Sequence, residues 1–230
     1  NGRMRANKEV YEHYRSLGRP VIIVEVGALY RGVTWKISVN NTTADGYYGH
    51  TENLDWDRPR KLGISLAVPV FNRPEILIAA QHQNSLQVAD QPSVEAWIYK
   101  QIIRLKQFTD RPIIVRPHPK YPIPPTQFAG FANVSMSTNL ELRQDVVGAW
   151  AAVFFNSSSC VASILAGVPV FANDHDCVAY DVANHNINDV ENPKLVERDQ
   201  WLWDLSAAHW TDDDSRNGLI YNKFKKFLPT

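Results

Sequence analysis

Cysteine is nearly absent: 230 residues contain two, Cys160 and Cys177. That excludes the disulfide framework of a small secreted scaffold and suits a reducing compartment, so the protein is expected in the cytoplasm. Net charge is absent too, with 24 basic residues against 24 acidic ones. No global basic footprint exists for a phosphate backbone, and nucleic acid is therefore not the first partner expected, although a local patch would hide in a balanced total. No apolar run approaches the ~20 residues of a membrane span and no signal peptide opens the chain, so no membrane span is expected. The glycosylation sequons at Asn40 and Asn156 then read as coincidences. His175, Asp176 and Cys177 are ligand-type residues with no second cluster at metal spacing, so no structural zinc is expected. Internal repeats and low-complexity segments are lacking as well. The chain opens at Asn1, not Met, inside an apparent helix, which reads as trimming or as the continuation of an upstream strand.

What is present is material for a core, with 44% hydrophobic residues and seven Trp. Two stretches organise the chain. Residues 113–120 (IIVRPHPK) and 155–171 (FNSSSCVASILAGVPVF) each join a short apolar run to polar, turn-forming residues. Buried parallel strands deliver side chains to a sheet edge in this way. Ligands of open α/β sheets sit beyond the carboxyl ends of the strands, which makes His118 and the serines 157–159 candidates for one polar pocket. The serines also open a helix-length apolar segment that stops at Gly167. Free N–H groups at that helix start would face the pocket, and a phosphate fits there.

In chain order, residues 5–17 read as a helix with Val10, Tyr14 and Leu17 on one face. The apolar run 21–24 reads as a strand covered on both faces, ending in Glu25. Residues 34–39 alternate as a strand, 40–49 form a long loop, and 67–74 form the linker between halves. A strand at 76–80 leads to a helix at 93–108 with Ser93 as N-cap and Trp97, Ile98, Ile102 and Leu105 at helical spacing. Further strands are expected at 113–115, 133–136, 151–155 and 168–172, with helices at 140–147 and 159–166 and a Trp-rich helical tail from Asp199. This alternation argues for a parallel sheet wound on both faces. Asp212, Asp213 and Asp214 read as the acidic first turn of a helix. The pairs Tyr47/Tyr48 and Trp201/Trp203 read as packing, not as a sugar platform.

An ordered set of motifs runs through nearly the whole chain: Glu25-x-Gly27-x-x-x-Arg31, Gln81, Arg116-Pro117-His118-Pro119, Ser157-Ser158-Ser159 with Gly167-Val168-Pro169-Val170, and a tail from Leu205 through His209 to Thr211 with Gly218. The set resembles the capsule polysaccharide biosynthesis family, the Kdo-transferase-like glycosyltransferases of GT-B architecture with their bacteriophage-encoded relatives. That resemblance implies an α/β fold of two Rossmann-like parallel-sheet halves, the first abbreviated. The halves would be 1–72 on the acceptor side and 73–205 for the nucleotide sugar, with 206–230 a helix packing back on the first. It implies transfer of a sugar from a nucleotide-sugar donor, CMP-linked by analogy, to a hydroxyl of a glycan, without metal or cofactor. His118 would offset charge at the donor phosphate, with Arg116, Lys120, Gln81, Ser157, Ser158 and Ser159 binding the donor. Glu25 would be the cleft carboxylate and Arg31 an acceptor contact.

Two departures stand out. The family places an Asp shortly after the residue matching Gln81, where this chain has Asn84-Ser85 and, nearest, Asp90; Asp90 is therefore a catalytic candidate. A carboxylate expected before the Gly-x-Pro-Val segment is replaced by Ala162-Ser163. Three other readings follow: a phage-type transferase acting on modified DNA bases, a catalytically degenerate nucleotide or glycan binding module, and a sugar-nucleotide epimerase. In the plain alternatives, His118 is a loop residue bonded to backbone and the serines are a helix cap.

Overall fold

A computed structural model describes residues 7–43, 46–49, 55, 57–83 and 91–228. Asp90, Asn84 and Ser85 lie outside the described residues. In chain order the elements are α1 (Asn7–Ser16), β1 (Ile22–Val26), β2 (Thr34–Val39), α2 (Arg58–Lys61), β3 (Ile76–Ala79), α3 (Val94–Leu105), β4 (Ile113–Arg116), β5 (Val134–Met136) and α4 (Leu142–Val146). They continue with β6 (Ala151–Val153), α5 (Cys160–Leu165), β7 (Val170–Phe171), α6 (Asp199–Ala207), β8 (His209–Thr211), α7 (Asp212–Arg216) and α8 (Leu219–Phe224). The fold is α/β, and it divides into two compact units. One comprises Arg3–Ser65 with Asp199–Thr230, the other Leu66–Arg198.

The Leu66–Arg198 unit is a parallel five-stranded sheet in the order β5-β4-β3-β6-β7. Its central strand β3, ILIA, is buried throughout, as a strand covered on both faces must be. Helix α3 forms where the periodicity predicts. Ser93 Oγ accepts the Ala96 N–H at 3.0 Å, and Trp97, Ile98, Ile102 and Leu105 turn inward onto Ile76, Ile113 and Val153. At the end of α5, Gly167 takes φ +75°, and a Cβ there would stand 2.9 Å from Pro69 Cα. The expected linker therefore packs against this unit: the Ala67 N–H donates to Leu165 O at 2.8 Å, and the boundary falls between Ser65 and Leu66.

The other unit departs from expectation. Its sheet is antiparallel, in the order β1-β2-β8, where a second parallel Rossmann-like sheet is expected. The reason lies in the connection. Residues 27–33 are too few for the crossover helix that a parallel neighbour demands, so β2 returns beside β1 as a hairpin. Strand β1 is consequently an edge strand, with Val24 58% and Val26 45% exposed, not a strand covered on both faces. The predicted face of α1 is also exposed at Val10, Tyr14 and Leu17. Strand β8, only three residues long, is not anticipated by periodicity; its Trp210 pairs with Trp35. The acidic run behaves as expected: Thr211 and Asp214 form a capping box at the start of α7. Tyr47 packs on Phe227 with ring centroids 5.1 Å apart.

Candidate functional site

The strand order of the parallel sheet reverses between β3 and β6, and the chain's chemistry collects at the carboxyl ends of the strands around that point. Gln81 leaves β3 buried, and its Oε1 accepts the Asn156 N–H at 3.2 Å, bracing the loop after β6. The next residue, His82, meets His118 edge to face at 5.2 Å between ring centroids. His118 follows β4, whose four residues are continued by Pro117. His118 Nδ1 accepts the Lys120 N–H at 3.1 Å, so the neutral ring carries its proton on Nε2, a tautomer assigned from that hydrogen bond. The turn is closed by the Tyr121 N–H on His118 O at 2.8 Å and pinned to α3 by the Tyr121 hydroxyl on Glu95 Oε1 at 3.0 Å. That bond to a carboxylate raises the Tyr121 pKa above its usual value.

The serine turn follows β6, two strands from His118, a spacing of roughly 10 Å at the usual ~4.8 Å between strands. Ser157 and Ser159 hydroxyls bond each other at 2.7 Å, and the Ser159 N–H donates to Ser157 Oγ at 3.3 Å. The expected free N–H groups at the start of α5 are not free. Those of Cys160, Val161 and Ala162 donate to the carbonyls of Ser157, Ser158 and Ser159 at 3.0, 3.2 and 3.1 Å. Nor is Ser159 a side-chain cap. What the turn offers an anion is hydroxyls, with the Ser157 and Ser158 N–H groups, which have no partner among the described residues. A cleft of about 260 Å³ lies to one side, lined by Trp97, Lys100, Arg104, Phe155, Asp174 and His185; neither His118 nor the serines line it.

Two expected donor contacts separate here. Lys120 is exposed, and its ammonium has no acidic partner among the described residues, which suits it to an anion. Arg116 is engaged elsewhere. Its guanidinium bonds Asp145 Oδ2 at 2.5 Å, Asn139 O at 3.0 Å and Leu140 O at 2.9 Å, with Asp145 wholly buried. Turning it toward a phosphate would strand that carboxylate, so Arg116 braces the loop before α4.

In the antiparallel unit, Glu25 sits within β1 opposite Lys36, and the two form an ion pair at 3.1 Å. Arg31 is exposed in the hairpin. Gly27 has a steric reason: a Cβ would meet Thr34 O at 2.7 Å and His209 Cδ2 at 2.8 Å. His209 is fully buried; its Nε2 accepts the Ala28 N–H at 2.9 Å while Nδ1 bonds Leu205 O at 2.6 Å. Burial pushes its pKa down to about 4, and the Lys36 and Arg58 cations add to this, so the ring is neutral near pH 7. Arg58 spans His209 O at 2.6 Å and Asp214. Burial alone would raise the Asp214 carboxyl, but hydrogen bonds from Arg58 and Thr211 outweigh it and leave the pKa below its ordinary value. His209 thus ties the tail motif to the Glu25-x-Gly27 motif.

Sequence reasoning missed His82, Tyr121 and Glu95. His82 was in reach, because it follows Gln81 at a strand end; the Glu95–Tyr121 bond spans 26 residues and leaves no local mark. Among the described residues no group of three or more His, Cys, Asp or Glu could hold a metal ion, and no helix is long and apolar enough to cross a membrane.

No family model and no curated protein matches the chain. Solved structures do. A KpsC described as a β-Kdo 2,7 transferase from Thermosulfurimonas dismutans aligns with 88% of this chain and 78% of its own, at 14% identity and a TM-score of 0.52. A KpsC described as a β-Kdo 2,4 transferase from the same organism aligns with 90% and 77%, at 14% identity and a TM-score of 0.51. The likeness shows a shared fold.

Proposed function

We propose that the chain is a glycosyltransferase that moves a sugar from a nucleotide-sugar donor to a hydroxyl of a glycan, and that the carboxyl edge of its parallel sheet holds the donor phosphate. The observation that carries this reading is the convergence of His118 and the serine turn on strands flanking β3 at the point where strand order reverses. His118 Nε2–H, the Lys120 ammonium and the serine hydroxyls supply donors to the phosphate, stabilising the charge that grows on the leaving group. Gln81 and His82 hold the two loops in place. Glu25 is the acceptor-side base, released from Lys36 when substrate binds, and Arg31 contacts the acceptor. The KpsC proteins are described as Kdo transferases, which favours a CMP-linked acidic sugar as donor. No step in this scheme calls for a metal.

Thermal stabilisation by CMP, UDP, GDP and TDP tests the reading. A nucleotide at about 100 times its Kd stabilises by about 2.7 kcal/mol, a rise of about 5–10 °C for a chain of this size. The expected result is a shift with one nucleotide, CMP first, that His118→Ala abolishes; no shift with any, or an equal shift in the variant, overturns it. A second reading is a binding module without turnover, favoured by the ion pair that engages Glu25. Donor turnover that disappears in Glu25→Gln while nucleotide binding persists decides for the enzyme.

A further inference from the structure

The two cysteines of the chain, distant from each other by 17 residues, are brought together with sulfurs 3.8 Å apart. Cys160 is the first residue of α5 and fully buried, and its N–H is bonded to Ser157 O at 3.0 Å, so its backbone belongs to the serine turn. Cys177, 4% exposed, lies in the irregular segment after β7, where its N–H donates to Asp174 O and its carbonyl accepts the Tyr180 N–H. No part of the proposed transfer uses either thiol. With no third ligand-type residue grouped with them among the described residues, a metal site is not what the pairing serves.

We propose that Cys160 and Cys177 are a site of reversible covalent modification, at which hydrogen peroxide converts the dithiol to an intrachain disulfide. The Cys177 thiol gives up its proton as its sulfur attacks one peroxide oxygen; the O–O bond breaks, the departing hydroxide takes that proton and leaves as water, and Cys177 becomes a sulfenic acid. Cys160 sulfur then attacks Cys177 sulfur, an S–S bond replaces the S–O bond, and the hydroxyl leaves with the Cys160 proton as a second water. Two thiols and one peroxide give one disulfide and two waters, the sulfurs supplying the two electrons that reduce the peroxide. The order of attack follows exposure: Cys177 is 4% exposed and Cys160 wholly buried, so peroxide meets Cys177 first. Cys177 keeps 4% of its surface exposed, and a local opening of the segment after β7 would admit a molecule as small as peroxide.

An S–S bond of ~2.05 Å requires the sulfurs to close by roughly 1.8 Å. Because Cys160 is bonded into the serine turn, that movement displaces Ser157 and Ser159 and weakens phosphate binding; this consequence rests on the function proposed above, whereas the bond itself does not.

The full chain is treated with equimolar peroxide, unfolded in an alkylating agent and weighed intact. The expected result is loss of about 2 Da with no alkyl adducts, a non-reducing peptide map joining Cys160 to Cys177, and recovery of two adducts after dithiothreitol. In Cys160→Ser the reaction stops at the sulfenic acid, which dimedone traps on Cys177. Two free thiols in a chain that is still folded, a cross-link between two chains, or sulfinic acid without a cross-link overturns the proposal. CMP binding is then compared in the two redox forms. A fall of threefold or more on oxidation supports the coupling to the serine turn, and equal affinity refutes the coupling. If neither form binds CMP, the proposed function fails while the mass result stands by itself.

Discussion

Lowering the pH should loosen the antiparallel unit through a single imidazole. His209 titrates near 4 when folded and at 6.5 when exposed in the unfolded chain. The folded state therefore refuses a proton that the unfolded state accepts, and stability present above pH 6.5 is lost as pH falls toward 4. The fall from 6.5 to about 4 corresponds to about 3 kcal/mol, of which about 2 kcal/mol is gone by pH 5. Asp214 also destabilises on protonation, but its pKa lies below the ordinary 3.8, so its loss begins at lower pH. The reporter is the Ala28 amide, which donates to His209 Nε2. Hydrogen exchange of a peptide covering 22–39 should quicken by about twentyfold between pH 7 and pH 5, after correction for the intrinsic pH dependence of exchange. A His209→Gln variant, less stable at pH 7 by about 2 kcal/mol for its lost hydrogen bonds, should show no such step. An equal step in the variant would refute the assignment to His209.

Gly27→Ala should cost about 1–3 kcal/mol, because the new methyl meets Thr34 O and His209; urea unfolding followed by Trp fluorescence measures it, and a neutral result would mean the hairpin yields easily. Arg116→Ala should destabilise by about 3–5 kcal/mol by stranding the buried Asp145 carboxylate, with Asp145→Asn recovering part of the loss in the double variant. Loss of nucleotide binding at unchanged stability in Arg116→Ala would instead restore its role at the donor. For His118→Ala the expected pattern is the opposite: the urea midpoint stays within about 0.5 kcal/mol of the parent while nucleotide affinity falls at least tenfold, as isothermal titration would show.

Helix α3 is legible in the sequence because each local signal agrees with its burial: Ser93 caps it, Glu95 sits in its first turn, and four apolar residues fall on one face. The strands of the parallel sheet are legible for a similar reason, since short apolar runs bounded by turn residues have few other uses there. The run at 21–24 has the same appearance and a different fate. A continuous apolar run does not reveal whether its neighbour is parallel or antiparallel; the length of the connection does, and seven residues between β1 and β2 permit only a hairpin. At the site, residue type and strand end identify His118 and the serines. Hydrogen-bond bookkeeping does not show in a sequence: that serine carbonyls consume the N–H groups of α5, and that Asp145 occupies Arg116, depends on partners brought near by folding.

A crystal structure of the chain with CMP bound at pH 7 decides where the donor phosphate sits. Phosphate oxygens are expected within about 3.2 Å of His118 Nε2 and of a hydroxyl or N–H in the serine turn. A phosphate seated instead in the cleft beside Lys100 and Arg104, with His118 and the serines untouched, would contradict this placement.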